Sequence, residues 1–189
     1  MSGHLLLALA AVGLSAQQAL VEGPTESKVR VLIYEDLQCA DCAAFRRMMD
    51  ENLLPRYLAR VAFVHRDFPL AKHVWARKAA IAARYFAGIK PELGLTYRRN
   101  ILAAIQQTTL DNFNERLSQF ARDNGTDPKS ALASLDDPHL AALVERDFQD
   151  GVARGVAKTP TVFVSGKAFI ESFSAEEISQ AIDDALDGR

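Results

Sequence analysis

Cys39 and Cys42 are the only cysteines in this 189-residue chain, and an Ala-Asp pair separates them. Residues 29–34 before them form an apolar run typical of a strand, and the residues after them, to about 58, have the apolar spacing of a helix. A helix start offers free backbone N–H groups and the positive end of the helix dipole, and both stabilise a thiolate. The second cysteine lies within one helical turn and can close a disulfide with the first. The pattern therefore predicts a redox-active dithiol.

Cys39 is the expected nucleophile, because it lies at the exposed end of the helix, whereas Cys42 should be more buried and keep a higher pKa. Two other uses of the pair stay open on the residues alone. It could be half of a zinc site, although zinc needs four ligands and the sequence has no second paired-cysteine or paired-histidine motif. It could be a structural disulfide, although so small a loop would stabilise a chain of this length little.

The composition is that of an ordinary globular protein with a real core: 49% of the residues are hydrophobic and 24% are charged. The length fits one domain, or one domain with an insertion. The formal net charge is −2, and the sequence has no basic stripe. Nucleic acid is therefore not an expected partner.

The first residues differ from the rest. Residues 5–14 form an apolar run that is too short to cross a bilayer but has the length of a signal-peptide core, and small residues follow it. No Lys or Arg precedes the run, so an amphipathic or buried N-terminal helix is the alternative. We expect residues 1–16 to be a signal peptide, residues 17–189 to be the functional domain, and the protein to lie in the periplasm or cell envelope.

The remaining patterns predict the order βαβ, a block of helices, and then ββα. Because a helix joins the first two strands, they should be parallel. Pro55 lies within the first helix and should kink it or end it early. Asp127 and Asp137, each followed by proline, and Ser174, three residues before Glu177, are signals of helix starts. The expected strands are 29–34, 61–64, 161–164 and 167–170, and the expected helices are 39–58, 71–87, 93–107, about 110–124, 128–135, 138–150 and 174–186.

Three stretches in this order resemble the DsbA-like branch of the thioredoxin superfamily, the bacterial disulfide oxidoreductases. They are residues 31–45 around the cysteines, residues 65–70 with the alanine-rich helix after them, and residues 155–166. The resemblance runs from about residue 23 to the end. It implies an α/β thioredoxin fold, βαβ plus ββα, with a helical insertion at about 71–150 between the two halves.

The resemblance also implies roles for Thr159 and Pro160. Pro160 would be a cis proline that faces the dithiol, and Thr159 would offer its backbone to an extended substrate chain and its hydroxyl to the thiolate. The implied substrates are unfolded or cysteine-containing proteins. The implied redox partner is a membrane oxidase or a thiol reductase, and no metal or organic cofactor is expected.

The sequence departs from the family prototype at two places. Ala40-Asp41 stands where the prototype has Pro-His, and the negative charge of Asp41 should oppose the Cys39 thiolate and make the protein a weaker oxidant. Ile33 stands where many relatives have a buried glutamate near the second cysteine. Glu35 would share the face of Ile33 only if the strand continued unbroken. The direction of electron flow therefore stays open.

Two rival functions also remain: a non-catalytic binding or chaperone module with a structural disulfide, and a metal-binding protein that uses both thiolates. Other polar residues are expected to be structural. His65 and His73 should be structural or surface groups, Arg66 and Asp67 should lie in a solvated or locally paired loop, and Trp75 should belong to the core.

Overall fold

The computed structural model describes residues 20–189. The signal peptide expected at residues 1–16 lies outside this part of the chain. Within it, no helix is both long enough and apolar enough to cross a membrane.

A five-stranded sheet in the order β1-β3-β2-β4-β5 forms the centre of the described chain. The central strands β2 and β3 are parallel, as predicted, and the other pairs are antiparallel. The hairpin between β4 and β5 turns at Ser165 and Gly166, which both have positive φ angles. The strands are β1 Val21–Glu22, β2 Arg30–Glu35, β3 Ala62–Asp67, β4 Thr161–Val164 and β5 Lys167–Ile170.

The strand β3 extends three residues beyond the predicted 61–64 range. The prediction that Arg66 and Asp67 lie in a loop is therefore wrong. Asp67 is fully buried, and two arginines from helices that follow it in the chain neutralise its charge. A strand can carry such a carboxylate inside the protein only because distant residues supply these partners.

The first helix, α1, comprises Ala40–Met48 and continues through a π-helical turn, Met49–Leu53, into α2, Leu54–Tyr57. The helix thus does not end at Pro55. The wider turn immediately before the proline accommodates its missing N–H, because a π turn shifts the hydrogen-bonding register by one residue.

Helices fill the interval between β3 and β4, and one more follows β5. The helix expected at 71–87 begins five residues later, at Ala76, and runs through Gly88. Asp127 and Asp137 cap their helices through their side chains, and Ser174 with Glu177 forms the predicted capping box. The helices are α3 Ala76–Ile89, α4 Pro91–Ala103, α5 Phe113–Asp123, α6 Pro128–Ala133, α7 Pro138–Ala153 and α8 Ala175–Leu186.

Two apolar clusters form most of the core. One packs α1 and α8 against the sheet, and the other lies within the helical block, where Trp75 stacks on Phe113 as a core residue. The helical cluster also contains Cys39 and Cys42. The dithiol therefore lies where the helical block packs against the start of α1.

Candidate active site

Cys39 is the N-cap residue of α1. Its backbone is extended (φ −90°, ψ 125°), and its carbonyl accepts the first bond of the helix, from Ala43 N, at 3.1 Å. No side-chain oxygen caps this helix. The cysteine side chain therefore occupies the position from which an N-cap group meets the free N–H groups of the first turn.

The surroundings of Cys39 favour its thiolate. Its pKa is lowered to about 6, first by a hydrogen bond from the Cys42 thiol and then by the backbone N–H groups of Cys42 and Asp41 and by Thr159, all of which outweigh partial burial. Cys39 is not exposed, as the sequence had suggested, but buried, with 8% of its surface exposed, because the helical block packs against it. It nevertheless lines a cleft at the surface. At neutral pH, Cys39 is mostly ionised and nucleophilic.

Cys42 has the opposite character. It is fully buried, and burial, followed by the Cys39 charge and the nearby Glu35 carboxylate, raises its pKa well above the ordinary value. The N–H of Asp36 donates to its sulfur at 3.4 Å. Both cysteines are free thiols in this structure. The pair is thus asymmetric, with a reactive outer sulfur and a protonated inner one.

The loop before β4 faces Cys39. The Thr159–Pro160 bond is cis, and the Cys39 thiol donates to the Thr159 carbonyl at 3.4 Å. The Thr159 carbonyl thus contacts the thiol, and the Thr159 side chain, whose hydroxyl the resemblance assigned to the thiolate, is one of the groups that lower the Cys39 pKa. The Thr159 hydroxyl is buried and has no geometrically formed hydrogen bond within the described residues. It is available to donate when Cys39 loses its proton.

Asp36, which the sequence did not single out as a site residue, fixes the loops around the dithiol. Its carboxylate accepts from the backbone of Gln38 at 2.6 Å, the backbone of Leu70 at 2.7 Å and the His73 ring at 2.8 Å. His73 thus contacts Asp36 and not the cysteines in the described structure. Asp36 ties the segment that leads into Cys39 to the segment that leaves β3.

A chain of buried charges runs beneath the dithiol. His65 lies between two carboxylates, 2.5 Å from Glu35 and 2.8 Å from Glu22, and these partners raise its pKa despite burial. Arg98 bridges Glu35 at 2.9 Å and Asp67 at 2.5 Å. Despite its burial, Glu35 has its pKa lowered to about 2 by Arg98 and His65.

Strand β2 continues to Glu35, so this residue shares the face of Ile33. The strand is thus unbroken between Ile33 and Glu35, which was the condition for the two residues to share a face. Glu35 supplies the buried carboxylate that many relatives have at the position of Ile33. The alternation of side chains between the two faces of the strand was the sequence signal for the position of Glu35. The arginine and histidine partners gave no sequence signal, because they come from other elements.

A family model described as Thioredoxin matches residues 15–184. The chain belongs to the thioredoxin family. A Rickettsia prowazekii protein whose name describes a protein-disulfide oxidoreductase is 28% identical over 172 residues, which are 89% of this chain and 61% of that protein.

Solved structures show that this thioredoxin-family chain has the DsbA-like form of the fold. BdbD from Bacillus subtilis superposes with a TM-score of 0.81 at 21% identity, over 92% of this chain and 95% of that one. Wolbachia pipientis alpha-DsbA1 gives 0.74 at 18% identity, over 88% and 89% of the two chains.

A different kind of relative shares only a segment with this chain. A Na(+)/H(+) antiporter NhaA of Herminiimonas arsenicoxydans is 29% identical over 164 residues, which are 86% of this chain and 25% of the antiporter. This thioredoxin-family chain thus spans about a quarter of the antiporter's length.

Two clefts meet beside the dithiol of this thioredoxin-family protein. One, of about 400 Å³, is lined by Cys39, Thr159 and Lys72 among others. The second, of about 310 Å³, is lined mainly by apolar side chains: Ala44, Phe45, Met48, Phe173 and Ala175. Both clefts also include Asp41 and Glu171 in their walls. Together they form a surface that can receive an extended chain across Cys39.

The structure thus brings together every site residue predicted from the sequence: Cys39, Asp41, Cys42, Thr159 and Pro160. Asp41 is exposed at the rim of both clefts, and its backbone N–H faces the Cys39 sulfur. Among residues 20–189, no group of three or more His, Cys, Asp or Glu side chains is arranged to hold a metal ion.

Proposed function

We propose that this protein exchanges disulfides with exported protein substrates through Cys39 and Cys42. The observation that carries the proposal is the asymmetry of the two sulfurs. Cys39 has a pKa of about 6 at the helix start beside Thr159, and the pKa of the buried Cys42 is well above normal. This is the division of labour that thiol–disulfide exchange requires.

In the reducing direction, the Cys39 thiolate attacks one sulfur of a substrate disulfide. The substrate S–S bond breaks, one substrate sulfur leaves as a thiolate, and a mixed disulfide forms between Cys39 and the other. Cys42 then loses its proton and attacks the Cys39 sulfur, so the enzyme disulfide forms and the second substrate thiolate leaves. The oxidising direction is the reverse: a substrate thiolate attacks Cys39 of the enzyme disulfide, and a second substrate thiol resolves the intermediate.

The Cys39 environment supports the oxidising direction. Interactions that stabilise the thiolate stabilise the reduced enzyme, so they make its disulfide easier to reduce and a better donor to substrates. The Asp41 charge acts in the opposite sense, and it is the reason why we expect a weaker oxidant than the family prototype. A separate redox protein, a membrane oxidase or a thiol reductase, must restore the starting state.

The substrate would lie across Cys39 as an extended chain. The backbone of Thr159 supports this placement, because its carbonyl already lies 3.4 Å from the Cys39 sulfur. A peptide there can form a short β-pair with the loop and place apolar side chains near Phe45 and Phe173. Unfolded proteins expose such segments, and they are the proposed substrate class.

An exchange assay tests the proposal. The wild-type protein should catalyse oxidation of a dithiol peptide and reduction of insulin, and Cys39→Ser should abolish both. Cys42→Ser is the matched control, because it should retain the first attack and lose turnover. Equal activity of wild type and Cys39→Ser would favour a passive binding module. Stoichiometric zinc in the reduced wild-type protein, lost in both variants, would favour a metal-binding protein.

Location is a further part of the proposal. We place the mature protein in the periplasm or cell envelope, with residues 1–16 as the export signal and residues 17–189 as the mature domain. Mass spectrometry of the natively expressed protein would give its first residue. A protein retained in the cytoplasm with Met1 in place would contradict export and leave the exchange chemistry untouched.

A further inference from the structure

A third cleft, of about 420 Å³, shares no lining residue with the two clefts at the dithiol. It lies over the face of the sheet that carries Arg30 of β2 and Arg66 of β3, where residues of α7 form the opposite wall. Its volume falls within the range of small-molecule sites, roughly 300–1,000 Å³. The proposed exchange reaction assigns this cleft no role.

Positive charge dominates the walls of this cleft. Five arginines and two aspartates line it, an excess of three positive charges. The two carboxylates are already engaged within the protein: Asp147 pairs with Arg66 and Arg84, and Asp150 pairs with Arg154 and accepts from Tyr34. Arg84 also pairs with the buried Asp67 behind the wall. The positive charge without a carboxylate partner in the described chain is therefore that of Arg30 and Arg146.

Two of these arginines have no carboxylate partner within the described residues. Arg146 is exposed and forms neither a hydrogen bond nor an ion pair there, and Arg30 donates only to the Thr25 backbone carbonyl at 2.7 Å. Arg66 uses one terminal nitrogen for Asp147 at 2.8 Å, and its Nε is a buried donor without a partner in the described chain. Guanidinium donors thus outnumber acceptors around the cleft.

We propose that this cleft binds a small phosphate-bearing anion. A guanidinium group can donate two parallel hydrogen bonds to two oxygens of one phosphate. It is also more weakly hydrated than an ammonium group, so it loses its water more easily when it binds phosphate. Arg30, Arg66 and Arg146 approach from three different elements and can surround one ligand. A multiply charged phosphate or diphosphate neutralises the two unpaired arginines, Arg30 and Arg146, better than a single carboxylate does.

Calorimetric titration with inorganic diphosphate at fixed ionic strength tests the proposal. The full chain should bind one diphosphate, and the double variant Arg30→Gln/Arg146→Gln should weaken binding by at least about tenfold, since it removes two charge-assisted contacts. These positions suit the test because neither substitution strands a buried carboxylate. The matched control is Arg47→Gln/Arg60→Gln, two exposed arginines outside the cleft, and it should bind as wild type does.

Disulfide exchange by the Arg30/Arg146 variant should be unchanged. The proposal of an anion site and the proposal of disulfide exchange are therefore tested independently. Absence of saturable binding, equal affinity of wild type and the cleft variant, or an equal loss in the control would overturn the anion site. Capture by phosphatidylglycerol vesicles without binding of free diphosphate would contradict a small soluble ligand.

Discussion

At the scale of single residues, the proposed chemistry depends on the difference in pKa between two neighbouring thiols, Cys39 and Cys42. The Cys42 thiol donates a hydrogen bond to Cys39, and this is the largest cause of the low Cys39 pKa, while the resulting charge helps to raise the Cys42 pKa. Each sulfur thus determines the state of the other. In the proposed reaction, Cys39 attacks because the more deeply buried Cys42 stays protonated and stabilises the Cys39 thiolate.

The reduced protein should show a titration near pH 6 that belongs to Cys39. Alkylation with iodoacetamide, mapped by mass spectrometry, should label Cys39 well before Cys42 at neutral pH, and the rate should fall below about pH 6. Cys42→Ala should raise the Cys39 pKa, because it removes the principal hydrogen bond. Preferential labelling of Cys42, or a Cys39 midpoint at the ordinary thiol value, would contradict this assignment.

Asp41 should oppose the thiolate weakly. Its side chain is exposed, and two unit charges ~4 Å apart in water interact by only about 1 kcal/mol, which is less than one pKa unit. Asp41→His should lower the Cys39 pKa and raise the reduction potential together. Asp41→Asn, the control that removes the charge without adding one, should give a smaller change in the same direction. If either quantity stays fixed or moves the other way, Asp41 does not tune the site.

At the scale of elements, the extensions of β2 to Glu35 and of β3 to Asp67 depend on charges supplied by other elements. Arg98 of α4 lies between these two buried carboxylates, and Arg84 of α3 also pairs with Asp67. A buried carboxylate without such a partner would be costly. The helical block therefore stabilises the sheet through charge as well as through apolar packing.

Arg98→Leu should lower the free energy of unfolding by about 3–5 kcal/mol, because it leaves two buried carboxylates short of a partner. Arg99→Leu is the matched control on the same helix. Arg99 is 41% exposed, so its pairs with Glu22 and Asp50 should contribute about 1 kcal/mol or less. Urea denaturation measures both. An equal loss of unfolding free energy in the two variants would show that the buried ion pairs of Arg98 do not contribute more stability than the exposed pairs of Arg99.

The elements that the sequence predicted well are those whose signals are local. The apolar run before Cys39, the aspartates before Pro128 and Pro138, and the Ser174 capping box all act within a few residues. The failures involve distant partners. Asp67 resembled a loop residue because its arginines lie 17 and 31 positions further along the chain. Pro55 was expected to kink the helix or end it early, and a π turn carries the helix past it.

At the scale of the whole molecule, the dithiol couples redox state to stability. The reduced protein should become more stable as pH rises from about 6 to about 9. In that window the unfolded Cys39 thiol is protonated and the folded one is not, so the unfolded state binds more protons and the free energy of unfolding increases with pH. One group shifted this far can contribute about 4 kcal/mol at most.

Above about pH 9 the trend should reverse, because the raised pKa of Cys42 keeps a proton on the folded protein that the unfolded chain has lost. Denaturation at several pH values, with the disulfide form as the control that lacks both thiols, would show this rise and fall as a difference between the two forms. Parallel curves for the reduced and oxidised proteins would contradict the coupling.

The most direct test of the central claim is to trap the exchange intermediate. Cys42→Ser, mixed with a peptide disulfide at neutral pH, should accumulate a mixed disulfide, and peptide mapping should place the bond on Cys39. Cys39→Ser, treated alike, should form little or none, because its remaining thiol is fully buried and protonated. A covalent intermediate on Cys42 in the wild-type protein, or none in the Cys42→Ser variant, would contradict disulfide exchange through Cys39.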